Sequence, residues 1–193
     1  MTDLPSTWKN AFLGALTRHQ NAAALREAMT LGRLRDWTAE MTRVAVAACS
    51  GLGWEVAAKG YRAPSLPILR GEYLNLDVTA FAPSTDRWRF PVAIMELENQ
   101  GDETYIAYNL WKLLCVRADL RALFCYRRDA EDGPALIRTL TGDVVDTLLT
   151  RQRVTPHGET IVVIGSRAET DAFPYGYFKW WRLVKSTSRF VLF

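Results

Sequence analysis

The sequence predicts an α/β domain in which a mixed sheet is flanked by helices. Three observations lead there: a helical apolar rhythm from Asp36 to Gly51, three strand-like segments directly after it, and a second helix followed by a short apolar run at residues 120–126. With 193 residues, 49% of them hydrophobic, the chain is long enough for one well-packed domain with a terminal extension.

The elements follow in order. Residues 7–31 place Trp8, Phe12, Leu16, Ala24, Leu25 and Ala28 at roughly helical spacing, which fits one broken helix or a helical hairpin around His19–Asn21. This stretch reads as an extension, residues 1–35, ahead of a main domain at 36–193. In D-W-T-A-E-M-T-R-V-A-V-A-A-C-S-G-L-G, Asp36 is the candidate N-cap and Gly51 or Gly53 supplies the stop. W-E-V-A-A-K, E-Y-L-N-L-D-V-T-A-F-A and R-F-P-V-A-I-M-E-L-E-N read as strands. The polar turn at residues 83–88 makes the last two an antiparallel hairpin. Asp102 opens a helix through Val116, and L-R-A-L-F-C-Y reads as a strand buried on both faces. The connection between this strand and the hairpin is long enough for a right-handed parallel crossover. Residues 134–150 read as helix and E-T-I-V-V-I-G-S as a further strand.

Bulk properties narrow the functional classes. A formal charge of +3 permits a nucleic-acid partner without requiring one. Cys49, Cys115 and Cys125 are widely spaced and outside any C-x-x-C pattern, so they argue against a disulfide framework or a zinc module and for buried thiols in a reducing compartment. The N-terminal residues lack a basic region followed by an apolar core, and no apolar run reaches the ~18 residues of a membrane span. A soluble, cytoplasmic protein without membrane contact is the expectation. His19 and His157 stand alone and form neither a metal triad nor a Ser-His-Asp set.

The acidic residues stand out on this frame. Residues i and i+2 of a strand share a face, so Glu96 and Glu98 project together while Met95 and Leu97 point the other way. Counting back from the turn brings Asp77 close to Glu96 or Glu98. Converging carboxylates repel unless a cation lies between them, and a hard divalent ion such as Mg²⁺, which prefers oxygen ligands and keeps several waters, resolves that repulsion.

Asp77, followed nineteen residues later by Glu96-x-Glu98, resembles the core motif of the PD-(D/E)xK nuclease superfamily, and the resemblance covers roughly residues 36–126. It implies a restriction-endonuclease-like αβββαβ core, with Asp77 and Glu96 as ligands of Mg²⁺ or Mn²⁺. Glu98 stands in the place usually held by lysine, an E-x-E variant known among active members. Lys112 is the candidate replacement: Tyr105, Asn109 and Lys112 lie at i, i+4 and i+7 of the helix after the acidic strand, and some members move a catalytic group onto that helix. Glu40 matches an acidic residue that some members carry on the preceding helix as a further metal ligand. The implied catalytic set is therefore Asp77, Glu96, Glu98 and Lys112.

The function so implied is metal-dependent hydrolysis of DNA phosphodiesters, as endonuclease or exonuclease. The alternatives are a catalytically inactive nuclease-fold protein that binds nucleic acid or serves assembly, and an unrelated α/β interaction domain. The C-terminal segment Y-G-Y-F-K-W-W-R-L-V-K-S-T-S-R-F interleaves aromatics with Lys179, Arg182, Lys185 and Arg189. It fits stacking on bases and pairing with phosphates, or packing of a terminal element against the core or a second subunit in a homodimer. Arg117, Arg121, Arg127 and Arg128 bracket the 120–126 strand as a phosphate-facing rim or a solvated edge.

Overall fold

The computed structural model describes residues 3–66, 68 and 71–193. They form an α/β fold of helices and seven strands, divided into two compact units, Met1–Leu97 and Glu98–Phe193.

In the first unit, the N-terminal stretch forms a helical hairpin. Helix α1 spans Leu4–Leu16 and α2 spans His19–Thr30. Pro5 sits in the first turn of α1, where a missing N–H leaves no helical bond unmade. The break has a local cause: Asn21 Nδ2 donates to the Ala15 carbonyl at 2.8 Å, satisfying an acceptor that the end of α1 leaves open. Trp8, Phe12, Ala15 and Leu16 are buried, and both helices pack on α3, Leu34–Gly51.

Helix α3 begins three residues earlier than the sequence predicts. Arg33 occupies the N-cap without a side-chain cap, and Asp36 lies in the first turn, where its charge complements the helix dipole. The helix stops at Gly51, and Gly53, at φ 77°, takes the left-handed conformation that reverses the chain. Strands β1 (Glu55–Ala58), β2 (Val78–Phe81) and β3 (Ala93–Leu97) then pair antiparallel in sequence order. The predicted strand over residues 72–82 is shorter than expected. Tyr73–Asn75 makes a 3₁₀ turn instead, with Leu74 and Asn75 at φ 56° and 54°. Tyr73 explains the detour: its ring is buried with Ala57, Ala63 and Phe81, and its hydroxyl donates to the Leu66 carbonyl.

The second unit carries α4 (Glu103–Cys115), capped by Asp102, whose carboxylate accepts from the Thr104 N–H at 2.7 Å. Strand β4 (Leu120–Arg127) runs parallel to β5 (Glu159–Ser166). Strand β6 (Phe178–Val184) is antiparallel to β5, and β7 (Arg189–Leu192) antiparallel to β6, so this sheet is mixed. Helix α5 (Asp132–Leu140) continues into a π-helical segment, Thr141–Arg151, over the stretch expected to be helical.

Arg121 lies on no rim. It is 1% exposed and donates to the Leu113, Val116 and His157 carbonyls, satisfying acceptors at the C-terminal end of α4. Among the described residues, no helix is long and apolar enough to cross a membrane.

Candidate functional site

Pairing fixes what the sequence leaves open about Asp77. The β2–β3 register sets Val78 opposite Met95 and Thr79 opposite Ile94. Continuing it by one residue on each strand puts Asp77 across from Glu96, the arrangement in which Cβ atoms of an antiparallel pair lie ~5 Å apart. Asp77 is half-buried, and its Oδ2 accepts from the Leu97 N–H at 2.7 Å, which fixes the plane of the carboxylate at the end of β3. Glu96 is only 4% exposed, in a strand whose other residues are all apolar and buried. A carboxylate held there is costly unless its charge is compensated.

Asp77 also lines a cleft of about 720 Å³. One wall is the N-terminal half of α3, with Arg35, Asp36, Thr38, Ala39, Thr42 and Arg43; facing it are Lys59, Tyr61 and Glu72. The Ala58–Val78 pairing brings the end of β1, and so Lys59, beside Asp77. Gly71 completes the frame, because a Cβ there would run into the Ala58 carbonyl. The walls carry three cations, Arg35, Arg43 and Lys59, and three carboxylates, Asp36, Glu72 and Asp77, a mixed lining that offers partners both to an anionic ligand and to a cation bound with it.

Glu40 has a different place. It pairs with Arg43 at 2.5 Å on the next turn of α3, and Arg43 is the member of that pair that lines the cleft. Glu40 thus orients a cleft arginine.

Glu98 and Lys112 belong to the second unit. Glu98 Oε1 accepts from the Gln100 N–H at 2.6 Å, and Oε2 accepts from Asn109 Nδ2 at 2.8 Å. Its own N–H donates to the Phe124 carbonyl at 2.9 Å. Asn109, 8% exposed, therefore ties α4 to the chain entering the unit. That entry is braced further by Arg167, which donates to the Asn99 carbonyl, and by Arg127, which reaches the Gly101 carbonyl and the Glu103 carboxylate. Lys112 lies over the exposed Tyr108 ring, its Nζ 6.0 Å from the centroid. The expected face of Tyr105, Asn109 and Lys112 is divided: Tyr105 points to solvent and Asn109 inward.

The residues around Asp77 that the sequence reading missed are Arg35, Arg43, Lys59, Tyr61 and Glu72. Lys59-Gly60-Tyr61 carried a weak signal as a loop directly after a strand, since binding residues are disproportionately placed on loops.

Among the described residues, no group of three or more His, Cys, Asp or Glu is arranged to hold a metal ion. Mg²⁺ does not require one: it is commonly held by one or two carboxylates, with waters and substrate phosphates filling the remaining positions. The buried Glu96 across from Asp77 fits that donor set. Comparisons with family models, curated proteins and solved structures find no match to the chain.

Proposed function

We propose that the chain hydrolyses phosphodiester bonds in DNA with the help of Mg²⁺ or Mn²⁺, on a restriction-endonuclease-like core. The observation that carries this reading is the pairing of Asp77 with the buried Glu96, where Asp77 lines a cleft with Arg35, Arg43 and Lys59. Asp77 and Glu96 would hold the ion, which when bound supplies an acidified water and polarises a phosphoryl oxygen. The Leu97 N–H orients Asp77 for that task, and Glu40 orients Arg43. Lys59, Arg35 and Arg43 receive the phosphates on either side of the reacting one, where positive charge is most favourable as negative charge develops. Glu98 acts as a positioning residue, holding α4 and with it Lys112 through Asn109.

A second reading, a nuclease-fold protein that binds nucleic acid without cutting it, is favoured by one observation. Both Glu98 oxygens accept hydrogen bonds at the place where the motif usually has a lysine. Incubation of supercoiled and linear DNA with 1–10 mM Mg²⁺ or Mn²⁺ separates the two. Hydrolysis by the wild type and its loss in Asp77→Asn support the enzyme. Binding without cutting at any metal concentration supports the binder.

A further inference from the structure

The loop between β2 and β3 contains Arg87-Trp88-Arg89-Phe90, an alternation of basic and aromatic residues outside any strand. Trp88 is 69% exposed and Phe90 67%, so two of the largest apolar side chains of the protein stand in water. They are held there. Trp88 adopts φ 58°, a left-handed conformation unfavourable for a residue with a Cβ, and its N–H donates to the Ser65 carbonyl at 3.1 Å. Arg89 donates through Nη2 to Ser65 Oγ at 2.8 Å. Ser65, 3% exposed, is anchored in turn by its N–H and hydroxyl to the Glu55 carboxylate at the start of β1. Backbone and side-chain bonds on both sides of Trp88 thus fix a strained loop whose net effect is to display an indole.

We infer that this loop is a stacking site for unpaired nucleobases, which directs the protein to nucleic acid with single-stranded character. The inference rests on the nucleic-acid reading above and adds the substrate class. Single-stranded binding combines exposed aromatic faces with cations that follow the backbone, and Arg87 is exposed beside Trp88. The occupant is chosen by the alternation itself, Arg87 and Arg89 flanking the indole with Arg87 exposed, which pairs a stacking face with a cation for the phosphate beside the stacked base. Geometry sets the spacing. Asp77 and Phe81 are four residues or ~13 Å apart along β2, and the loop leaves the strand after Phe81, at the end away from Asp77.

The test is fluorescence anisotropy of a labelled dT₁₆ and of a labelled 16-base-pair duplex, without divalent metal, on wild type, Trp88→Gly, Trp88→Phe and Phe90→Ala. Glycine accepts φ 58° without strain, so Trp88→Gly removes the ring while favouring the loop conformation. The expected result is tighter wild-type binding to dT₁₆ than to the duplex, about tenfold or greater loss of dT₁₆ affinity in Trp88→Gly, a smaller loss in Phe90→Ala, and near-complete retention in Trp88→Phe. Unchanged dT₁₆ affinity in Trp88→Gly overturns the inference. Equal loss for dT₁₆ and duplex, no binding of either by the wild type, or a wild-type self-association abolished by Trp88→Gly also overturns it. Loss of dT₁₆ binding in a protein that cuts nothing with Mg²⁺ leaves the stacking site standing and removes the hydrolytic reading.

Discussion

Glu96 and Glu98 are two residues apart in sequence and have opposite circumstances. Glu96 is buried in an apolar strand across from a second acid, Asp77. Glu98 spends both oxygens on hydrogen bonds, to the Gln100 backbone and to Asn109 on α4. Two carboxylates set across from one another repel, whereas a carboxylate accepting two donors is stabilised by them. The difference teaches that an E-x-E motif need not be two equivalent ligands. Glu98 is bound within its own unit, and Glu96, under the proposed function, is the position that would meet a cation.

Substitutions should therefore have opposite signs on stability. The largest effect belongs to Glu96. Glu96→Gln removes the like charge across from Asp77 and should raise the melting temperature by a few degrees, equivalent to about 1 kcal/mol for a chain of this size, while lowering the proposed DNA cleavage by roughly 10³-fold. A calorimetric scan beside a cleavage assay reads both, and a destabilised Glu96→Gln variant breaks the contrast.

Glu98→Ala comes next and reverses the stability effect. It leaves the buried Asn109 amide short of an acceptor and should cost about 2 kcal/mol in urea unfolding, with a moderate loss of kcat that follows from α4 shifting. The double variant with Asn109→Ala sharpens this: a coupling of about 1 kcal/mol between the sites indicates a bond made for position, and strict additivity removes it. Lys112→Ala should have a smaller effect still on stability, because its ammonium rests over an exposed ring. If it lowers kcat without weakening DNA binding, it joins the catalytic set.

The smallest effect tests the surroundings. Burial pushes the Cys49 and Cys125 thiols up to about 12, so at pH 8 both stay protonated and unreactive. Cys115, on the exposed side of α4, should take up iodoacetamide alone in the native protein, and mass spectrometry would count one adduct.

Much of this arrangement was legible in the sequence, and the exceptions have physical causes. The period-two pattern located β3, although the strand ends at Leu97 and leaves Glu98 outside it, and the turn pointed to Asp77 near one of the two acids. It could not choose between Glu96 and Glu98 because register is a property of pairing. The strand over residues 72–82 was overextended because burial of the Tyr73 ring outweighed strand propensity at Leu74 and Asn75. Arg121 misled for a related reason, whereas for the aromatic-basic C-terminus the packing alternative holds. Composition indicates charge and rings but not which way they point: Arg121 turned inward to α4 carbonyls, and Trp180 and Phe178 are buried in β6, where strand alternation sends them to the core. The same alternation at residues 87–90 sits in a loop, and there the rings stand outside.

In the proposed function, the Asp77–Glu96 pair would hold a divalent ion for phosphodiester cleavage. Isothermal titration of the wild-type protein with Mn²⁺, run beside Asp77→Asn and Glu96→Gln and paired with a cleavage assay at each metal concentration, tests it most directly. The expected outcome is one Mn²⁺ site in the wild type, its loss in either variant, and cleavage that rises with its occupancy. Equal Mn²⁺ binding by all three proteins, or occupancy without cleavage, would contradict it.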